Sequence, residues 1–503
     1  MSEQKAFGDF QTPPDFAREV TALVAQLFPA PTRIIEPTAG KGAFLKGAYD
    51  QWGASCSYVG YEINPDYVAE VSDLLNPLGI VMLQRDFFTE DWQVILNQSP
   101  DPRVLVIGNP PWVTNAELGV LESKNLPEKS NDQGMRGLDA RTGKANFDIA
   151  EWMIMRLVEA LPAQGALAVL CKTMTARKVL RQLWKGDQAR KQACLFRLDA
   201  HAVFNVAVDA CLFFMSGEPS DERTATIYAG LDLASASSTF GFVDGELVSD
   251  IEHYTRHRAF DGGSAYTWRS GVKHDAAKVM ELTRADGAFV NGYGDTVELE
   301  PDYLYPLLKS SDLGNGRVTP RKWVLIPQKK TGEDTSEIAE KAPKTWQYLL
   351  DHGAALDGRK SSIYRKRSRF CIFGIGEYSF APWKVGISGL YKSFTFVVVP
   401  PVDGRAVMVD DTCYTIPCET EAEATLLCEL LNTPEAQAFM ASLVFTDAKR
   451  PVTVDVLKRL SLVALAEACG RLEELTSQVS HWADLAGRAG PNEQLSLLPE
   501  TYS

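Results

Sequence analysis

The stretch Val104-Leu-Val-Ile-Gly-Asn-Pro-Pro-Trp-Val-Thr114 predicts both the fold and the place of the chemistry. Four β-favouring apolar residues end at a glycine, and two prolines then prevent the strand from continuing. This pattern is typical of a buried parallel strand. It leaves Asn109-Pro110-Pro111-Trp112 at the carboxyl end of that strand, where open α/β sheets bind their ligands.

An amide side chain beside a proline-fixed carbonyl suits the activation of an exocyclic amine on a nucleic-acid base. Such an amine is a poor nucleophile because its lone pair is delocalised into the ring. Hydrogen bonds accepted by Asn109 and by a backbone carbonyl of the Pro-Pro turn favour a more tetrahedral nitrogen. Trp112 offers a flat face on which a base stacks. A strand followed by a Pro-rich turn also explains the motif, so the neighbouring motifs decide between the two interpretations.

Composition limits the class of protein. A chain of 503 residues predicts two or three domains, and 45% hydrophobic with 23% charged residues fits a soluble globular protein. The sequence has no apolar run of eighteen residues and a polar start, which predicts a cytoplasmic protein without a membrane span. Nine cysteines without paired spacing predict reduced thiols, and six histidines without an HExxH motif predict no metal site. The net charge of −14 argues against a general nucleic-acid binder, but not against one with a single basic face.

A second strand end carries an acidic residue and a glycine-rich turn. In Arg33-Ile-Ile-Glu-Pro-Thr-Ala-Gly-Lys-Gly-Ala-Phe-Leu45, a short apolar strand ends at Glu36 and a helix starts near Ala43. Gly40 and Gly42 permit a tight turn and the close approach of a ligand. The pattern fits neither a dinucleotide fingerprint nor a phosphate loop. An acidic residue before such a turn suits a ligand that carries an ammonium group.

Two further strands end in the same way. The strand over residues 57–63 closes with Glu62, just before Ile63, and an acidic residue there suits both hydroxyls of a ribose. Residues 80–83 lead to Asp86 and Phe87, a carboxylate and an aromatic. Each polar residue alone is explained as a solvated cap. Together, in a doubly wound sheet, they predict a site for an adenosine-bearing ligand.

The other segments give predictions about local structure. Thr12 is expected to cap a helix whose first position is Pro13, and Phe204 is expected in a short loop before a strand. Residues 113–145 are predicted to be a mobile loop, and residues 216–250 a linker or peripheral hairpins. Beyond a boundary near residue 245, short mixed segments are expected.

The motifs in this order resemble the gamma-class, TaqI-type DNA adenine amino-methyltransferases of restriction-modification systems. The resemblance extends past Leu431-Asn432 to Leu460, which look like the close of that family's target-recognition domain. It implies a doubly wound, Rossmann-like α/β methyltransferase domain over residues 1–245. A mixed α+β target-recognition domain over 246–462 and a C-terminal helix and tail over 463–503 would follow. The activity implied is site-specific, adenine-specific DNA methylation with S-adenosylmethionine as cofactor.

The resemblance also implies roles for individual residues. Thr12 and Glu36 would contact the methionine part of S-adenosylmethionine, and Glu62 would hold its ribose. Ile63 and Phe87 would flank the adenine of the cofactor, with Asp86 accepting from its amine. The cofactor-binding set as a whole is Thr12, Glu36, Thr38, Gly40, Gly42, Glu62, Ile63, Asp86, Phe87 and Asn109.

The catalytic set implied by the resemblance is Asn109, Pro110, Pro111 and Trp112. Asn109 and the Pro110 carbonyl would bind the target amine, and Trp112 would stack on the flipped adenine with Phe204 at its edge. Two features depart from the family pattern. Trp112 stands where Tyr or Phe is usual, and the 113–145 segment is long, which puts the loop geometry in doubt.

The second half of the chain contains a dense basic segment. Six of the eleven residues in Arg359-Lys-Ser-Ser-Ile-Tyr-Arg-Lys-Arg-Ser-Arg369 are basic, in a chain that is acidic overall. An exposed basic face is one interpretation, and a phosphate-binding surface for double-stranded DNA is the other. The predicted phosphate contacts are Arg365, Lys366, Arg367, Lys392, Lys449 and Arg450. The pattern does not identify base-reading residues.

The C-terminal segment predicts one helix over residues 464–490 and a tail with a short motif. Gln494-Leu-Ser-Leu-Leu498 is similar to the bacterial sliding-clamp-binding motif. The sequence shows no nuclease motif, so a restriction endonuclease would be a separate partner. Two alternatives stay open: methylation of an RNA amine or a protein glutamine amide, and a catalytically silent DNA-binding protein.

Overall fold

The chain folds into two compact units, Met1–Asp250 and Ile251–Ser503. The computed structural model describes residues 11–112, 148–264, 266–285, 287–445, 447 and 450–478. The first unit continues past the boundary expected near residue 245, because strand Glu246–Val248 still pairs with the strand before it. No helix within the described ranges is long and apolar enough to cross a membrane.

A ten-stranded sheet forms the centre of the first unit. Its strands are β1 (Arg33–Glu36), β2 (Ser57–Glu62), β3 (Ile80–Gln84), β4 (Val104–Gly108), β5 (Ala166–Lys172), β6 (Ala193–Leu198), β7 (Ala210–Ser216), β8 (Thr224–Tyr228), β9 (Ala236–Val243) and β10 (Glu246–Val248). Their order is β10-β9-β8-β6-β7-β5-β4-β1-β2-β3. The first five strands are parallel in the order β3-β2-β1-β4-β5, the doubly wound arrangement. The predicted fold class is confirmed.

Helices connect these strands. They are α1 (Pro14–Leu27), α2 (Ala43–Trp52), α3 (Pro65–Leu75), α4 (Trp92–Asn97), α5 (Ile149–Ala160), α6 (Thr173–Lys185) and α7 (Ala200–Phe204). Short 3-10 turns lie at Gly53–Ser55, Asn76–Leu78, Phe87–Thr89 and Leu233–Ser235. Helices α1 and α2 pack closely, since a Cβ added at Gly47 would lie 3.2 Å from the backbone of Ala17. The sheet and these helices enclose one apolar core.

Of three local predictions for this unit, two were wrong. Thr12 does not cap α1: Pro13 is the capping residue, and no side chain caps the helix. Phe204 ends the short helix α7 rather than lying in a loop, because Asp199 accepts from the N–H groups of His201 and Ala202 and starts that helix. The prediction of a linker or peripheral hairpins over residues 216–250 is confirmed in its second form, because β8, β9 and β10 pair antiparallel in sequence order at one end of the main sheet.

The second unit is a mixed α+β structure with two sheets, as the sequence predicts. Its strands are β11 (Arg269–Ser270), β12 (Glu281–Ala285), β13 (Ala288–Val290), β14 (Thr296–Val297), β15 (Leu304–Leu308), β16 (Lys322–Leu325), β17 (Trp383–Ser388), β18 (Val397–Val399), β19 (Met408–Val409) and β20 (Cys413–Cys418). One sheet has the order β14-β13-β12-β16-β15-β19, and the other has the order β11-β20-β17-β18. A core that includes Phe370 and Leu325 packs against the larger sheet.

The helices of the second unit are mostly short. They are α8 (Ile251–His257), α9 (Ala277–Met280), α10 (Ser310–Gly314), α11 (Ile338–Lys341), α12 (Pro343–Asp351), α13 (Gly353–Asp357), α14 (Glu421–Leu431), α15 (Pro434–Leu443), α16 (Val454–Leu457), α17 (Leu462–Ala468) and α18 (Leu472–Gln478). Turns of 3-10 helix lie at Arg258–Phe260, Pro301–Tyr303, Ser362–Tyr364 and Glu377–Phe380.

The prediction of one continuous helix over residues 464–490 was wrong. Helix α17 ends at Ala468, and α18 begins at Leu472. Gly470 lies between them with a φ of 68°, a left-handed conformation that ends a helix. Residues 479–490 lie outside the described ranges.

Candidate active site and nucleic-acid interface

Four neighbouring strands of the first sheet carry polar residues at one edge. In the spatial order β3, β2, β1 and β4, the residues at or just after the strand ends are Asp86, Glu62, Glu36 and Asn109. The strands are parallel, so their carboxyl ends meet at the same edge of the sheet. A Cβ added at Gly108 would lie 3.4 Å from Glu36 Cγ, which places the end of β4 directly beside that carboxylate. The sequence prediction that these residues share one edge is confirmed.

Glu62 is held by the glycine-rich turn of the neighbouring strand. The Gly40 N–H donates to Glu62 Oε2 at 2.7 Å, and the Asn64 N–H donates to Oε1 at 2.8 Å. Gly40 and Gly42 have φ angles of 51° and 71°, which glycine adopts without strain. A carboxylate has about four acceptor positions, and these two backbone donors fix the orientation of the group. This arrangement fits the ribose of the expected cofactor.

Glu36 is a buried carboxyl group, with 3% of its surface exposed. Its Oε2 accepts from the Leu45 N–H at 3.3 Å, in the first turn of α2. Burial raises the pKa of Glu36 well above its usual value; the Leu45 hydrogen bond opposes this shift and the charge of Glu62 adds to it. No lysine, arginine or histidine in the described ranges forms an ion pair with Glu36. A buried acid without such a partner fits a ligand that brings its own positive charge, as S-adenosylmethionine does.

The residues expected around the cofactor's adenine differ in exposure. Ile63 is 42% exposed and offers an apolar surface directly after β2. Phe87 is buried and packs against Trp92, with ring centroids 4.7 Å apart. Asp86 accepts from the Phe88 N–H at 3.0 Å through Oδ1 and so begins the turn that holds Phe87. The structure therefore presents Ile63 to a ligand much more openly than Phe87.

Two threonines orient the Asn109 turn. Asn109 Nδ2 donates to Thr12 Oγ1 at 3.5 Å, and Thr38 Oγ1 donates to the Asn109 carbonyl at 3.4 Å. Thr12 precedes α1 and Thr38 follows β1, so both ends of this asparagine contact other segments of the unit. Thr12 thus lies at the site although it does not cap the helix.

Trp112 is buried against the sheet. Its indole N–H donates to the Leu170 carbonyl at 3.3 Å, and 6% of the residue is exposed. Phe204 lies edge-on to Trp112 with ring centroids 5.3 Å apart, and Phe16 lies edge-on to Phe204 at 6.1 Å. The structure brings the two predicted stacking residues together. Stacking of a base on Trp112 requires that its buried face become accessible.

Sequence reasoning missed three residues at this edge. Lys172 ends β5, next to β4, and its Nζ lies 2.9 Å from Asp148 Oδ2. Gln11 Oε1 accepts from the Lys41 N–H at 3.1 Å and so lies against the glycine-rich turn. Lys172 follows the same strand-end rule as the acidic residues, and that rule would have identified it. Gln11 and Asp148 give no comparable signal in the sequence.

In the second unit, Arg365, Lys366 and Arg367 form an exposed turn. Lys366 has a φ of 59°, so the backbone bends sharply at the centre of the turn. The Tyr364 hydroxyl donates to the Lys273 carbonyl at 3.3 Å on one side of it, and Ser368 Oγ donates to Asp334 Oδ1 at 2.8 Å on the other. In the described part of the chain, none of the three cations has an ion-pair partner. The turn therefore presents three charges from an anchored backbone.

The flanking arginines of the same segment have structural contacts instead. Arg359 Nη1 donates to the Cys371 carbonyl at 2.7 Å, and its guanidinium stacks on Tyr364 at 3.7 Å from the ring centroid. Arg369 pairs with Asp357 at 2.8 Å. The basic segment is thus divided between structural residues at its ends and exposed charges at its centre.

The other predicted phosphate contacts differ from one another. Lys392 is exposed, whereas Arg450 Nη2 lies 3.7 Å from Asp411 Oδ2. Asp411 also accepts from Lys273 Nζ at 3.4 Å, which links Arg450 to the segment that anchors the 365–367 turn. Three predictions lie outside the described residues: Lys449, the loop over residues 113–145 and the tail motif Gln494–Leu498.

In sequence, the chain is similar to a curated Type II methyltransferase. Over 468 residues the chain is 39% identical to the Type II methyltransferase M.NspV of Nostoc sp., which covers 92% of this chain and 97% of that protein. No family model matches the chain.

Among solved structures, the chain is similar to the Type IIL restriction-modification enzyme MmeI in complex with DNA, with 14% identity and a TM-score of 0.47. That likeness covers 95% of this chain and 73% of MmeI. A class I S-adenosylmethionine-dependent methyltransferase from Listeria monocytogenes matches 45% of this chain and 68% of its own, with 14% identity and a TM-score of 0.32.

Proposed function

Because this chain belongs to the Type II methyltransferases and methylates DNA with S-adenosylmethionine as methyl donor, we propose that its target is the N6 amine of an adenine extruded from the duplex. The observation that carries this proposal is the shared edge of four strands, which sets the Asn109 turn directly beside Glu36. The turn that we assign to the target amine therefore adjoins the carboxylates that we assign to the cofactor.

The Asn109 turn activates the target amine. The Asn109 side-chain oxygen and the Pro110 carbonyl accept hydrogen bonds from the two amine protons, which makes the nitrogen lone pair available. Thr12 and Thr38 hold Asn109 in orientation through their contacts with its side-chain amide and its carbonyl. Pro111 adds stiffness and no competing donor. Bound S-adenosylmethionine supplies a methyl group on a positively charged sulfur.

The acidic residues hold the cofactor by charge and by hydrogen bonds. Glu36 attracts the positive charge of the methionine part, and Glu62 accepts from the ribose hydroxyls. Ile63 contacts the adenine ring of the cofactor from its exposed position after β2. Asp86 accepts from the adenine amine, and the edge of Phe87 completes the apolar wall.

The extruded adenine stacks on Trp112, with Phe204 at its edge. Extrusion is needed because the N6 amine of a paired adenine is not accessible to a turn at the end of a strand. The indole N–H bond to Leu170 fixes the edge of Trp112, so that a stacked base would lie on the ring plane. Base binding uncovers this face.

The second unit recognises the target site. Arg365, Lys366, Arg367, Lys392 and Arg450 contact phosphates of double-stranded DNA, and we assign the same role to Lys449, which lies outside the described residues. The exposed charges of the 365–367 turn and of Lys392 suit a polyanion even though the chain carries a net charge of −14.

Two partners are proposed outside the reaction itself. A separate restriction endonuclease would share the recognition sequence, since the chain shows no nuclease motif of its own. The tail Gln494–Leu498 would bind a sliding clamp. A pull-down with the full chain, compared with a chain ending at residue 491, tests the clamp contact; equal recovery of the clamp would contradict it.

The proposed activity is tested by exposing unmethylated DNA to the purified protein and sequencing its modified bases. We expect N6-methyladenine within one defined sequence. Methylcytosine would contradict the proposed target atom. Absence of any DNA modification, with transfer to RNA or to a glutamine amide in a radiolabelled assay, would favour the alternative substrates. Absence of all transfer would favour a catalytically silent protein.

A further inference from the structure

One buried carboxylate of the second unit holds two arginines at the surface. Asp312 lies in helix α10, and its side chain is 3% exposed. Its Oδ1 accepts from Arg317 Nη1 at 2.9 Å and from Arg321 Nη2 at 2.6 Å. Its Oδ2 accepts from the Lys309 N–H at 3.0 Å. Two cations on one anion leave a local excess of one positive charge.

Both arginines keep part of the guanidinium at the surface. The side chain of Arg317 is 42% exposed and that of Arg321 is 61% exposed. Each is fixed through one terminal nitrogen, while a guanidinium carries five N–H donors in a planar fork. The remaining donors are therefore presented in a restrained orientation. Burial disfavours the charge on Asp312, yet the Lys309 N–H and the two arginines hold its pKa below the usual value. The arginine clamp, formed by Asp312, Arg317 and Arg321, therefore stays charged near neutral pH.

This clamp lies beside a predicted phosphate contact. Asn315 Nδ2, two residues before Arg317, donates to the Tyr391 hydroxyl at 3.2 Å. A Cβ added at Gly314 would lie 2.5 Å from the Tyr391 ring, so these two segments pack closely. Lys392, the next residue, is exposed. We therefore expect a duplex that contacts Lys392 through a phosphate to bring neighbouring bases close to Arg317 and Arg321.

The orientation fixed by Asp312 distinguishes Arg317 and Arg321 from the cations of the 365–367 turn. A phosphate contact tolerates many orientations because the charge is spread over several oxygens. A base edge requires a fixed fork, and guanine presents two acceptors, O6 and N7, in the spacing of a guanidinium. Arginines oriented in advance by a buried carboxylate meet this requirement better than arginines without an ion-pair partner.

We propose that Arg317 and Arg321 read guanine in the recognition sequence, each oriented by Asp312. This inference rests on the proposed function, because it assumes that the second unit binds duplex DNA. An arginine pair that only neutralised Asp312 would contribute to the stability of the unit and leave the methylated sequence unchanged.

The first test uses Arg317→Lys and Arg321→Lys, which keep the charge and remove the planar fork. The modified bases in a random DNA library are sequenced after exposure to each full-length variant. We expect methylation to continue, with the preference for G·C at one position reduced about 10-fold or more. Arg284→Lys is the matched control, because Arg284 is an exposed arginine of the same unit without a carboxylate partner in the described ranges. Its base preference should match that of the wild type.

The second test uses the wild-type protein and so does not depend on the folding of a variant. Binding is measured to duplexes in which 7-deazaguanine, which lacks the N7 acceptor, replaces each guanine of the methylated sequence in turn. We expect about a 10-fold loss of affinity at one or two positions. Equal affinity at every position, an unchanged sequence preference in both lysine variants, or a methylated sequence without G·C would overturn the inference. Failure to methylate DNA adenine at all would instead overturn the proposed function.

Discussion

The edge of the first sheet and the charged surface of the second unit assemble their residues in different ways. At the sheet edge, the acidic residues and Asn109 lie at or just after strands, and backbone N–H groups orient the carboxylates of Glu36 and Glu62. On the second unit, side chains orient other side chains across long distances in sequence. Lys273 and Asp411 are 138 residues apart in the chain and still form a contact.

This difference affects what a substitution does. A residue positioned by the backbone can be replaced without moving its neighbours, so its loss removes one chemical function. A residue in an ion-pair network also releases its partner, so its loss changes the charge presented by another residue. We therefore expect each substitution at the sheet edge to remove one function, either methyl transfer or cofactor binding. On the second unit we expect substitutions to lower DNA affinity by amounts that depend on the ion-pair partner of the replaced residue.

The largest expected effect is that of Asn109→Ala at the sheet edge. Removing a hydrogen-bond acceptor from the reacting amine should lower the rate of methyl transfer by about 10²-fold to 10³-fold. Cofactor binding should persist, because the carboxylates that hold it are oriented by other backbone groups. Single-turnover transfer of a radiolabelled methyl group and calorimetric titration of S-adenosylmethionine measure the two quantities.

Asn76→Ala is the control for this experiment, since Asn76 is an exposed asparagine of the same unit. It should keep the full rate. A rate for Asn109→Ala within a factor of three of the wild type would remove this residue from the mechanism.

The next effect is that of Glu62→Gln on cofactor affinity. The amide keeps the size of the side chain and loses the charge and one acceptor oxygen, while two backbone N–H groups still require partners. Hydrogen bonds to a charged group contribute about 1.5–3 kcal/mol, so we expect the dissociation constant of S-adenosylmethionine to rise about 10-fold to 100-fold. Saturating cofactor should restore most of the rate.

Glu70→Gln serves as the control, because Glu70 is exposed and pairs with Lys41 near the same turn. Its cofactor affinity should be unchanged. If Glu62→Gln bound the cofactor as tightly as the wild type, Glu62 would only stabilise the glycine-rich turn and would not contact the cofactor.

Sequence reasoning identified the first region well, for a physical reason. A buried parallel strand shows as a continuous apolar run, and the polar residue that ends it is visible beside the run. Asp86, Glu62, Glu36 and Asn109 were all found in this way. The same rule applied to residues 166–172 would have found Lys172, which ends the apolar run of β5.

The second region was identified only in part. A run of basic residues shows in the sequence, but the run does not show that Arg359 and Arg369 are used internally. Nor does it show that Asp312 would collect Arg317 and Arg321, because that contact depends on the loop that follows a five-residue helix. The break at Gly470 was missed for a related reason: an apolar stripe continues across the glycine, and only its left-handed backbone ends the helix.

A third prediction concerns the charges of the 365–367 turn. Replacing Arg365, Lys366 and Arg367 together by alanine should lower DNA affinity by roughly 10-fold to 30-fold, since each lost phosphate contact removes the release of about 0.9 counterion. The slope of log affinity against log salt should become shallower by about 2 to 3. Fluorescence anisotropy of a labelled duplex over a series of salt concentrations measures both.

Arg256→Ala is the matched control, because Arg256 is an exposed arginine of the same unit that pairs with Glu252. Its slope should equal that of the wild type. A triple variant with an unchanged slope would mean that the turn does not contact phosphates.

A fourth prediction returns to the sheet edge and concerns pH. In the free protein, burial raises the pKa of Glu36, so the folded chain keeps this proton to a higher pH than the unfolded chain does. The stability that this group contributes is present at low pH and is lost as pH rises through the folded pKa. A cationic ligand favours the carboxylate, so cofactor affinity should rise with pH over the same interval, by no more than about 10-fold per pH unit for one proton.

Glu36→Gln removes this titration without changing the size of the side chain. Calorimetric titrations at several pH values should show a flatter dependence for the variant than for the wild type. Parallel pH dependences would mean that Glu36 is already ionised in the free protein, or that it does not face the charge of the cofactor.

The smallest expected effect is that of Arg450→Ala, and it tests the comparison most directly. Asp411 already neutralises part of the charge of Arg450, so the DNA must compete with that carboxylate for the guanidinium. We expect an affinity loss of about 3-fold or less and a change in salt slope below that of one full phosphate contact. Asp411→Asn should have the opposite sign, because it releases Arg450 towards the duplex, while Lys273 keeps its closer partner Asp275 at 2.9 Å. If Arg450→Ala lowered DNA affinity as much as the triple variant of the 365–367 turn does, ion pairing with carboxylates would not determine which cations of the second unit bind DNA.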